Sequence, residues 1–389
     1  MSKGKLNYPE DFVEPSATIE SAENEIHRRI LQIVQDCCKK VRVALPSHLF
    51  NGHMRENNLG GWNLFMDRHA PIESPMSPLV NLLRSLTKRR SVFHYDLINS
   101  NERFLSNHCL GTSNALRCLL DSIRTTKFID ALILQLKEIG DKEFEIVDAG
   151  CGPIPIFGII SALMSKNAKI TCIECDRVSC QMAQTLIEKL ELGDKINIIR
   201  TDATKYQHHK PVDLLVSETL APGLTDELYA QIFDNFKPQM NQEGGKTIPE
   251  SVTVGINLVN KLEVHNPYYA QFGGGQVGPK IKINPVGTLD NQHNLSTIEA
   301  YFDFDDFSDG PYYVFISSSI IVDGKNGIIL EGLESNATAP TKIKIKNNRS
   351  RINPDIQICP RTRRKYRGIK IKYTPGTMKE DIKPEFIAK

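Results

Sequence analysis

Between residues 144 and 256, short apolar runs alternate with amphipathic segments. The apolar runs predict β-strands at 145–149, 168–173, 196–200, 212–217 and 250–256. The segments between them place apolar residues at helical spacing and predict helices at about 154–165, 177–191 and 226–236. Strands and helices that alternate in this way are typical of a parallel α/β sheet with helices on its faces.

The regions on either side have different patterns. Helical spacing before the sheet predicts helices at about 21–43, 79–87 and 113–136. We expect this front region to be either a cap on the next domain or a lid or dimer arm. After Val259, short alternating runs predict antiparallel strands in a barrel or sandwich. The chain is thus expected to have three parts, over residues 1–90, 91–258 and 259–389.

Composition narrows the class of protein. The 389 residues are 40% apolar and 24% charged, which is ordinary for a globular chain. A net charge of +2 does not by itself indicate a nucleic-acid partner, and the apolar runs are too short to span a bilayer. With no recognisable signal peptide, we expect the nine cysteines to be reduced thiols and the protein to be cytoplasmic.

The sharpest local feature is Ile-Val-Asp-Ala-Gly-Cys-Gly-Pro, which runs from Ile146 to Pro153. It predicts a buried strand that ends in a tight turn and opens a helix. Glycine in such a turn lets the backbone approach a ligand that a side chain would block. Pro155 stands where a dinucleotide-binding fold would have its third glycine, which disfavours NAD or FAD.

Acidic residues follow the next two predicted strands. Glu174 lies 22 positions after Gly152, where a carboxylate can accept both hydroxyls of a ribose. Asp202, followed by Ala203, is placed to receive the amine of adenine. Either acid alone is often a solvated strand end. Together with the glycine turn, and in this order, they indicate a nucleoside site.

The order Val-Asp-Ala-Gly-Cys-Gly, Cys-Ile-Glu-Cys-Asp and Thr-Asp-Ala resembles the cofactor motifs of class I S-adenosylmethionine-dependent methyltransferases. The resemblance implies an α/β fold, with a Rossmann-like domain followed by an all-β barrel-like domain and preceded by a helical extension. It also implies S-adenosylmethionine as the cofactor. The cofactor-binding residues would then include Asp148, Gly150, Cys151, Gly152, Glu174, Asp202 and Ala203.

The segment from Ser217 to Glu227 resembles the double-glutamate loop of protein arginine methyltransferases, with Glu218 and Glu227 nine residues apart. Residues 94–103 and 244–253 resemble two further segments of that family. The resemblance implies that Glu218 and Glu227 clamp the acceptor and that Arg103 pairs with the cofactor carboxylate. It also implies that His94 lies near the methionine part and that the protein is a homodimer.

Paired carboxylates suit a guanidinium acceptor. This group is planar, permanently charged and weakly nucleophilic, and bidentate hydrogen bonds can orient it for in-line methyl transfer. Glu227 has a second interpretation, because Thr225-Asp226-Glu227 is also an ordinary helix start with a threonine cap.

Two departures from that family bear on the acceptor. Thr-Leu-Ala-Pro-Gly stands at 219–223 where the family has Trp-Met-Gly-Tyr, and the family's Thr-His-Trp loop has no counterpart that we can identify. Without an aromatic wall, a small guanidino compound such as free arginine is favoured over an arginine-containing peptide.

An alternative comes from residues 342–372, which contain twelve Lys or Arg and one acid, Asp355. Such a patch could hold RNA, which would make the acceptor a nucleic acid, or it could be the solvated face of alternating strands. A non-enzymatic adaptor is a third class, disfavoured by the intact cofactor motifs.

No metal is expected, because Cys172-x-x-Cys175 has no second pair and His208-His209 has no ligand nearby in the sequence.

Overall fold

The computed structural model describes residues 25–48, 109–140, 142–261, 285–331, 356–378 and 381–389, with short pieces at 78–82 and 335–342. Within this part of the chain, none of the helices combines the length and apolar character needed to cross a membrane.

The described residues before the sheet include the helices α1 (Glu25–His48), α2 (Thr112–Leu119) and α3 (Ser122–Ile139). The single helix predicted at 113–136 is therefore two helices, because the chain turns at Leu120 and Asp121. On α1, Ile30 and Val34 are buried in the same core as α3. This helix is thus part of the folded unit. The helix predicted at 79–87 lies largely outside the described residues.

The central sheet is parallel, as the pattern predicts. Its strands are β1 (Phe144–Ala149), β2 (Ala168–Glu174), β3 (Ile196–Arg200), β4 (Leu214–Val216) and β5 (Lys246–Ile248). The helices between them are α4 (Ile156–Met164), α5 (Arg177–Lys189) and α6 (Tyr229–Phe236). The strand order is β3-β2-β1-β4-β5, so the chain changes direction across the sheet between β1 and β4.

Alternation along β1 divides the interior into two cores. Ile146 contributes to the core that holds α3, α4 and α5. Val147 and Ala149 point to the other face, where they pack with Ile232 and Phe236 of α6. Successive side chains of a strand point to opposite faces of its sheet. The result is a three-layer arrangement with helices on both sides.

The strand predicted at 250–256 as the last of the parallel sheet is wrong. β5 takes that place, and residues 251–260 form β6, which pairs antiparallel with a strand from the C-terminal region. Only Pro249 and Glu250 separate the two strands, and the apolar pattern continues across them. The predicted boundary at residue 258 therefore lies inside β6.

The C-terminal region folds into two antiparallel sheets. Its other strands are β7 (Pro285–Leu289), β8 (Ile298–Asp303), β9 (Gly310–Asp323), β10 (Ile328–Leu330), β11 (Thr341–Lys342), β12 (Ile356–Ile358), β13 (Tyr366–Tyr373) and β14 (Glu385–Ala388). A short helix, α7 (Pro360–Lys365), precedes β13. One sheet centres on β9 and contains β6, and the other has the order β14-β13-β8. Among the described strands these pairings do not close into the predicted barrel.

The burial of α1 generates a prediction about stability. Ile30 has no exposed surface, so Ile30→Ala removes apolar contacts and should lower the free energy of unfolding by about 2–5 kcal/mol. The matched control is Arg29→Ala on the exposed side of α1, which should change it by less than about 0.5 kcal/mol. Urea unfolding followed by circular dichroism measures both, and equal midpoints for the two variants would show that α1 is a dispensable extension.

Candidate active site

A crevice opens at the carboxyl ends of the parallel strands. Asp148 of β1 lies beside Val216 of β4, so the glycine turn after β1 and the Ser217-Glu218 segment after β4 are neighbours. In open α/β sheets, ligands bind at this point, where the strand order reverses. The cavity has a volume of about 440 Å³, within the range of small-molecule sites.

Most of the predicted site residues line this cavity. They are Gly150, Cys151, Gly152, Glu174, Asp202, Ala203, Glu218 and Glu227. Asp148 lies behind the turn, where it is buried and its carboxylate accepts a hydrogen bond from the Gly158 amide at 3.2 Å. His94 and Arg103 lie outside the described residues.

The glycine turn has the backbone conformation that the sequence predicts. Gly150 and Gly152 have φ angles of 81° and 67°, a region that side chains disfavour. The amides of Gly150 and Cys151 both donate to the carbonyl of Ile173, which fastens the turn to β2. A Cβ atom at Gly150 would lie 2.4 Å from the Cγ2 atom of Thr219, so no larger residue fits there.

Glu174 joins the turn to the end of β2. Its Oε2 atom accepts from the Gly152 amide at 2.9 Å and its Oε1 atom from the Asp176 amide at 2.7 Å. Burial raises the pKa of Glu174 to about 7, although these amide hydrogen bonds oppose the rise. A carboxylate has about four acceptor positions and three amides donate to this one, so Glu174 keeps capacity for a further donor such as a hydroxyl.

Asp202 lies on the more open side of the cavity. Its partial burial would raise the pKa, but hydrogen bonds from Thr204 hold the pKa of Asp202 below its usual value. The carboxylate is therefore ionised at neutral pH. The neighbouring Ala203 carbonyl accepts a hydrogen bond from Asn235 at 2.9 Å, which fastens this loop to α6.

At the other end of the cavity, Glu218 is paired with a residue that the sequence analysis missed. The Arg124 guanidinium lies 2.8 Å from Glu218 Oε1, and both side chains are largely buried. Asp121 lies 3.6 Å from the same guanidinium. Burial raises the pKa of Glu218 to about 8 against the effect of Arg124, and the Glu227 carboxylate adds to the rise.

Arg124 does leave a signal in the sequence. It stands four residues before Phe128 and eight before Leu132, and all three are buried. Residues at this spacing share one face of a helix. A charge on an otherwise apolar face requires a counter-charge from another element, and Glu218 supplies it.

The loop that carries Glu227 is held by the C-terminal region. Gly223, Leu224 and Asp226 all have positive φ angles. The Tyr373 hydroxyl donates to the Gly223 carbonyl at 2.7 Å, and residues 376–377 exchange backbone hydrogen bonds with Leu224 and Asp226. Non-glycine residues reach this conformation only when their surroundings impose it.

The helix-start interpretation of Glu227 is wrong. The helix predicted from residue 226 begins at Tyr229, and the Thr225 hydroxyl donates to the Pro222 carbonyl instead of capping it. Glu227 instead lines the cavity.

The expectation that all nine cysteines are free thiols is also wrong. Cys109 and Cys175 form a disulfide across a separation of 66 residues, and both line the cavity. The bond joins the segment before α2 to the residue after Glu174. Sequence spacing gave no signal, because the two cysteines come from elements that meet only in the fold.

In the C-terminal basic region, several cations have acidic partners. Arg363 pairs with Asp309, and Arg367 lies 3.2 Å from Asp303. Lys370 and Lys372 both contact Glu299, at 2.5 and 3.4 Å. Residues 343–355 of the region lie outside the described residues.

The chain is similar to known proteins over part of its length. Residues 120–248 match the family model described as PRMT5 arginine-N-methyltransferase. The chain is similar to Trypanosoma brucei PRMT1 from an enzyme-prozyme heterotetrameric complex with AdoHcy, at 15% identity over 68% of this chain and 88% of that chain, with a TM-score of 0.44. It is also similar to Arabidopsis thaliana protein arginine methyltransferase 10, at 11% identity over 66% and 84%, with a TM-score of 0.38. No curated protein matches the sequence.

The matched segment contains the glycine turn, Glu174, Asp202 and both glutamates of the predicted clamp. Over this segment, about a third of the chain, the sequence is similar to the arginine-N-methyltransferase family model.

Proposed function

We propose that the enzyme methylates a small guanidino substrate, such as free arginine or an arginine derivative, with Glu218 and Glu227 as the acceptor clamp. The observation that carries this proposal is that both glutamates line the same cavity as the glycine turn and Glu174. A clamp in that position would hold an acceptor nitrogen beside the cofactor pocket.

The residues around the cavity fit S-adenosylmethionine. Gly150 and Gly152 line the cavity at positive φ angles that side chains disfavour, and Glu174 and Asp202 offer carboxylate oxygens to the ribose and the adenine amine. When bound, the cofactor supplies a methyl group on a sulfonium, which is already a good leaving group. The protein then needs chiefly to position and orient the acceptor.

The contact between Arg124 and Glu218 supports a guanidinium as the acceptor group. The Arg124 guanidinium already lies 2.8 Å from Oε1 of Glu218 at this end of the cavity. Asp121, Glu218 and Glu227 are three carboxyl groups around one arginine, so the acceptor end is net negative when Glu218 is ionised. A cationic acceptor is attracted to such a site, and removing its charge would weaken binding.

A small acceptor is supported by the residues that line this end of the cavity. Near the two glutamates these include Cys118, Thr219 and Leu228. Among all lining residues in the described part of the chain, Phe157 is the only aromatic one. Small side chains leave room for a compact molecule but supply little stacking surface for a peptide.

The alternative acceptor, RNA, is less well supported. An RNA-binding surface needs cations that are available to phosphates. Arg363, Arg367, Lys370 and Lys372 instead pair with acidic groups of their own domain. Their local field is partly cancelled, as expected for the solvated face of a β-sheet.

The glycine turn provides the first test of the proposed cofactor residues. Gly150→Ala forces a side chain onto Thr219 at a positive φ angle, so it should weaken S-adenosylhomocysteine binding at least tenfold. Gly193→Ala is the matched control, because a Cβ atom there has open space. Isothermal titration calorimetry measures both affinities, and normal binding by Gly150→Ala would place the cofactor elsewhere.

The acceptor clamp is tested by removing one negative charge at a time. Glu218→Gln and Glu227→Gln should each lower methyl transfer by on the order of a hundredfold, because the guanidinium loses an ionic partner. Glu188→Gln, on an exposed helix surface, is the control. Tritiated methyl transfer to free arginine, to an arginine-rich peptide and to RNA is measured for each variant.

S-adenosylhomocysteine binding serves as the folding control for the clamp variants and should change less than about threefold. Transfer to the peptide but not to free arginine would overturn the small-substrate proposal. Methyl transfer to RNA alone would overturn the proposal that the acceptor is a guanidino compound.

The raised pKa of Glu218 predicts a pH dependence. As pH falls below its pKa of about 8, a growing fraction of the carboxyl is protonated and offers no charge to the acceptor guanidinium, so kcat/KM should fall and approach a tenfold decrease per pH unit. The measurement uses saturating cofactor and N-acetylarginine amide as the substrate. The guanidinium is the only ionisable group of this substrate, and it stays charged between pH 6 and 9. A flat profile from pH 6 to 9 would contradict the assignment of Glu218.

A further inference from the structure

A second group of polar residues lies at the amino ends of the parallel strands, opposite the crevice. Glu145 is the second residue of β1, and its side chain meets the loop before β4 that carries His208 and His209. Ligand-type atoms of these three residues all lie within 4.8 Å of one another. Glu145 precedes the glycine turn by roughly 13 Å of strand, so this group is separate from the crevice.

The spacing of the atoms is that of metal ligands. His208 Nε2 lies 3.4 Å from Glu145 Oε2. This is longer than the common N–H···O hydrogen bond of about 2.9–3.0 Å. Zinc lies ~2.0–2.2 Å from imidazole nitrogens and carboxylate oxygens, so two ligands of one tetrahedral zinc are roughly 3.4 Å apart.

The surroundings prepare these atoms for a cation. The side chain of His208 has no exposed surface, and that of Glu145 is 8% exposed. The Tyr206 hydroxyl lies 3.4 Å from Nδ1 and orients the ring.

Lys210 is the competing cation. Its ammonium lies 2.7 Å from Glu145 Oε1 and is half exposed, while Oε2 faces His208. The two carboxylate oxygens therefore have different neighbours. A metal ion on Oε2 would feel repulsion from this ammonium, which solvent screens only in part.

We propose that Glu145, His208 and His209 bind Zn²⁺ or a similar divalent transition-metal ion, with water as a fourth ligand. Two imidazoles and one carboxylate form a donor set that zinc uses, whereas Mg²⁺ and Ca²⁺ require mainly oxygen ligands. His209 is exposed, so its ring can turn toward the ion.

A bound ion would brace the loop between β3 and β4. The same loop carries Asp202 and Ala203 in the cofactor cavity, and Gln239 already supports it by accepting from the His208 amide at 2.7 Å. An ion that binds only the folded state raises the free energy of unfolding. The increase grows with the logarithm of the ratio between the free ion concentration and Kd. The site would thus be structural.

The test uses the full chain after treatment with EDTA, titrated with ZnCl₂ by calorimetry. His209→Asn is the main variant, because an exposed side chain can be replaced without loss of folding. His293→Asn is the matched control, since this exposed histidine also lies beside a carboxylate, Asp290. The proposal expects His209→Asn to lose one zinc equivalent, or to bind it on the order of a hundredfold more weakly.

The control variant should bind zinc as the unchanged chain does. Lys210→Gln should bind zinc several-fold more tightly, because a repelling charge is removed. Zinc that binds to cysteines elsewhere in the chain is common to all variants, so it cancels when the variants are compared. Equal stoichiometry and affinity in His209→Asn and the unchanged chain would overturn the proposal, and so would equal binding of Mg²⁺. An anomalous zinc peak beside Glu145 in a crystal would place the ion directly.

Discussion

Arg124 and Glu218 form an ion pair where neither charge could be buried alone. Burial of a single charge costs several kcal/mol, and removing one partner of a buried pair typically destabilises a protein by about 3–5 kcal/mol. The pair therefore obliges α3 to lie against the end of β4. Further along α3, Gln135 donates to Asp323 of β9, so the same helix also joins the parallel sheet to the C-terminal region.

The C-terminal region supports the Glu227 loop, although none of its described residues lines the cavity. The Tyr373 hydroxyl and the backbone at 376–377 hold residues 223–226 in conformations that these residues would otherwise avoid. Glu227 follows this loop, so its place in the cavity depends on strands far along the chain. The antiparallel sheets thus hold the loop in place, and the parallel sheet supplies the end of the cavity that contains the glycine turn.

The sequence predicted the parallel sheet well because each buried strand is marked by its own apolar residues. It failed at 250–256, where β5 and β6 are separated by only two residues and one apolar pattern covers both. It also predicted one helix over 113–136, because the turn at Leu120 and Asp121 does not interrupt the helical spacing of the apolar residues. In both cases the pattern shows which residues are buried but not where the chain changes direction.

By itself, the sequence determined the glycine turn and the order of Glu174, Asp202 and Glu218 on successive strand ends. These depend on local backbone preference and on strand order, both of which are written along the chain. Only the tertiary structure decided the pairing of Arg124 with Glu218, the Cys109–Cys175 bond and the meeting of Glu145 with His208. A periodic pattern gives the buried face of one element, whereas these contacts depend on which distant element lies opposite that face.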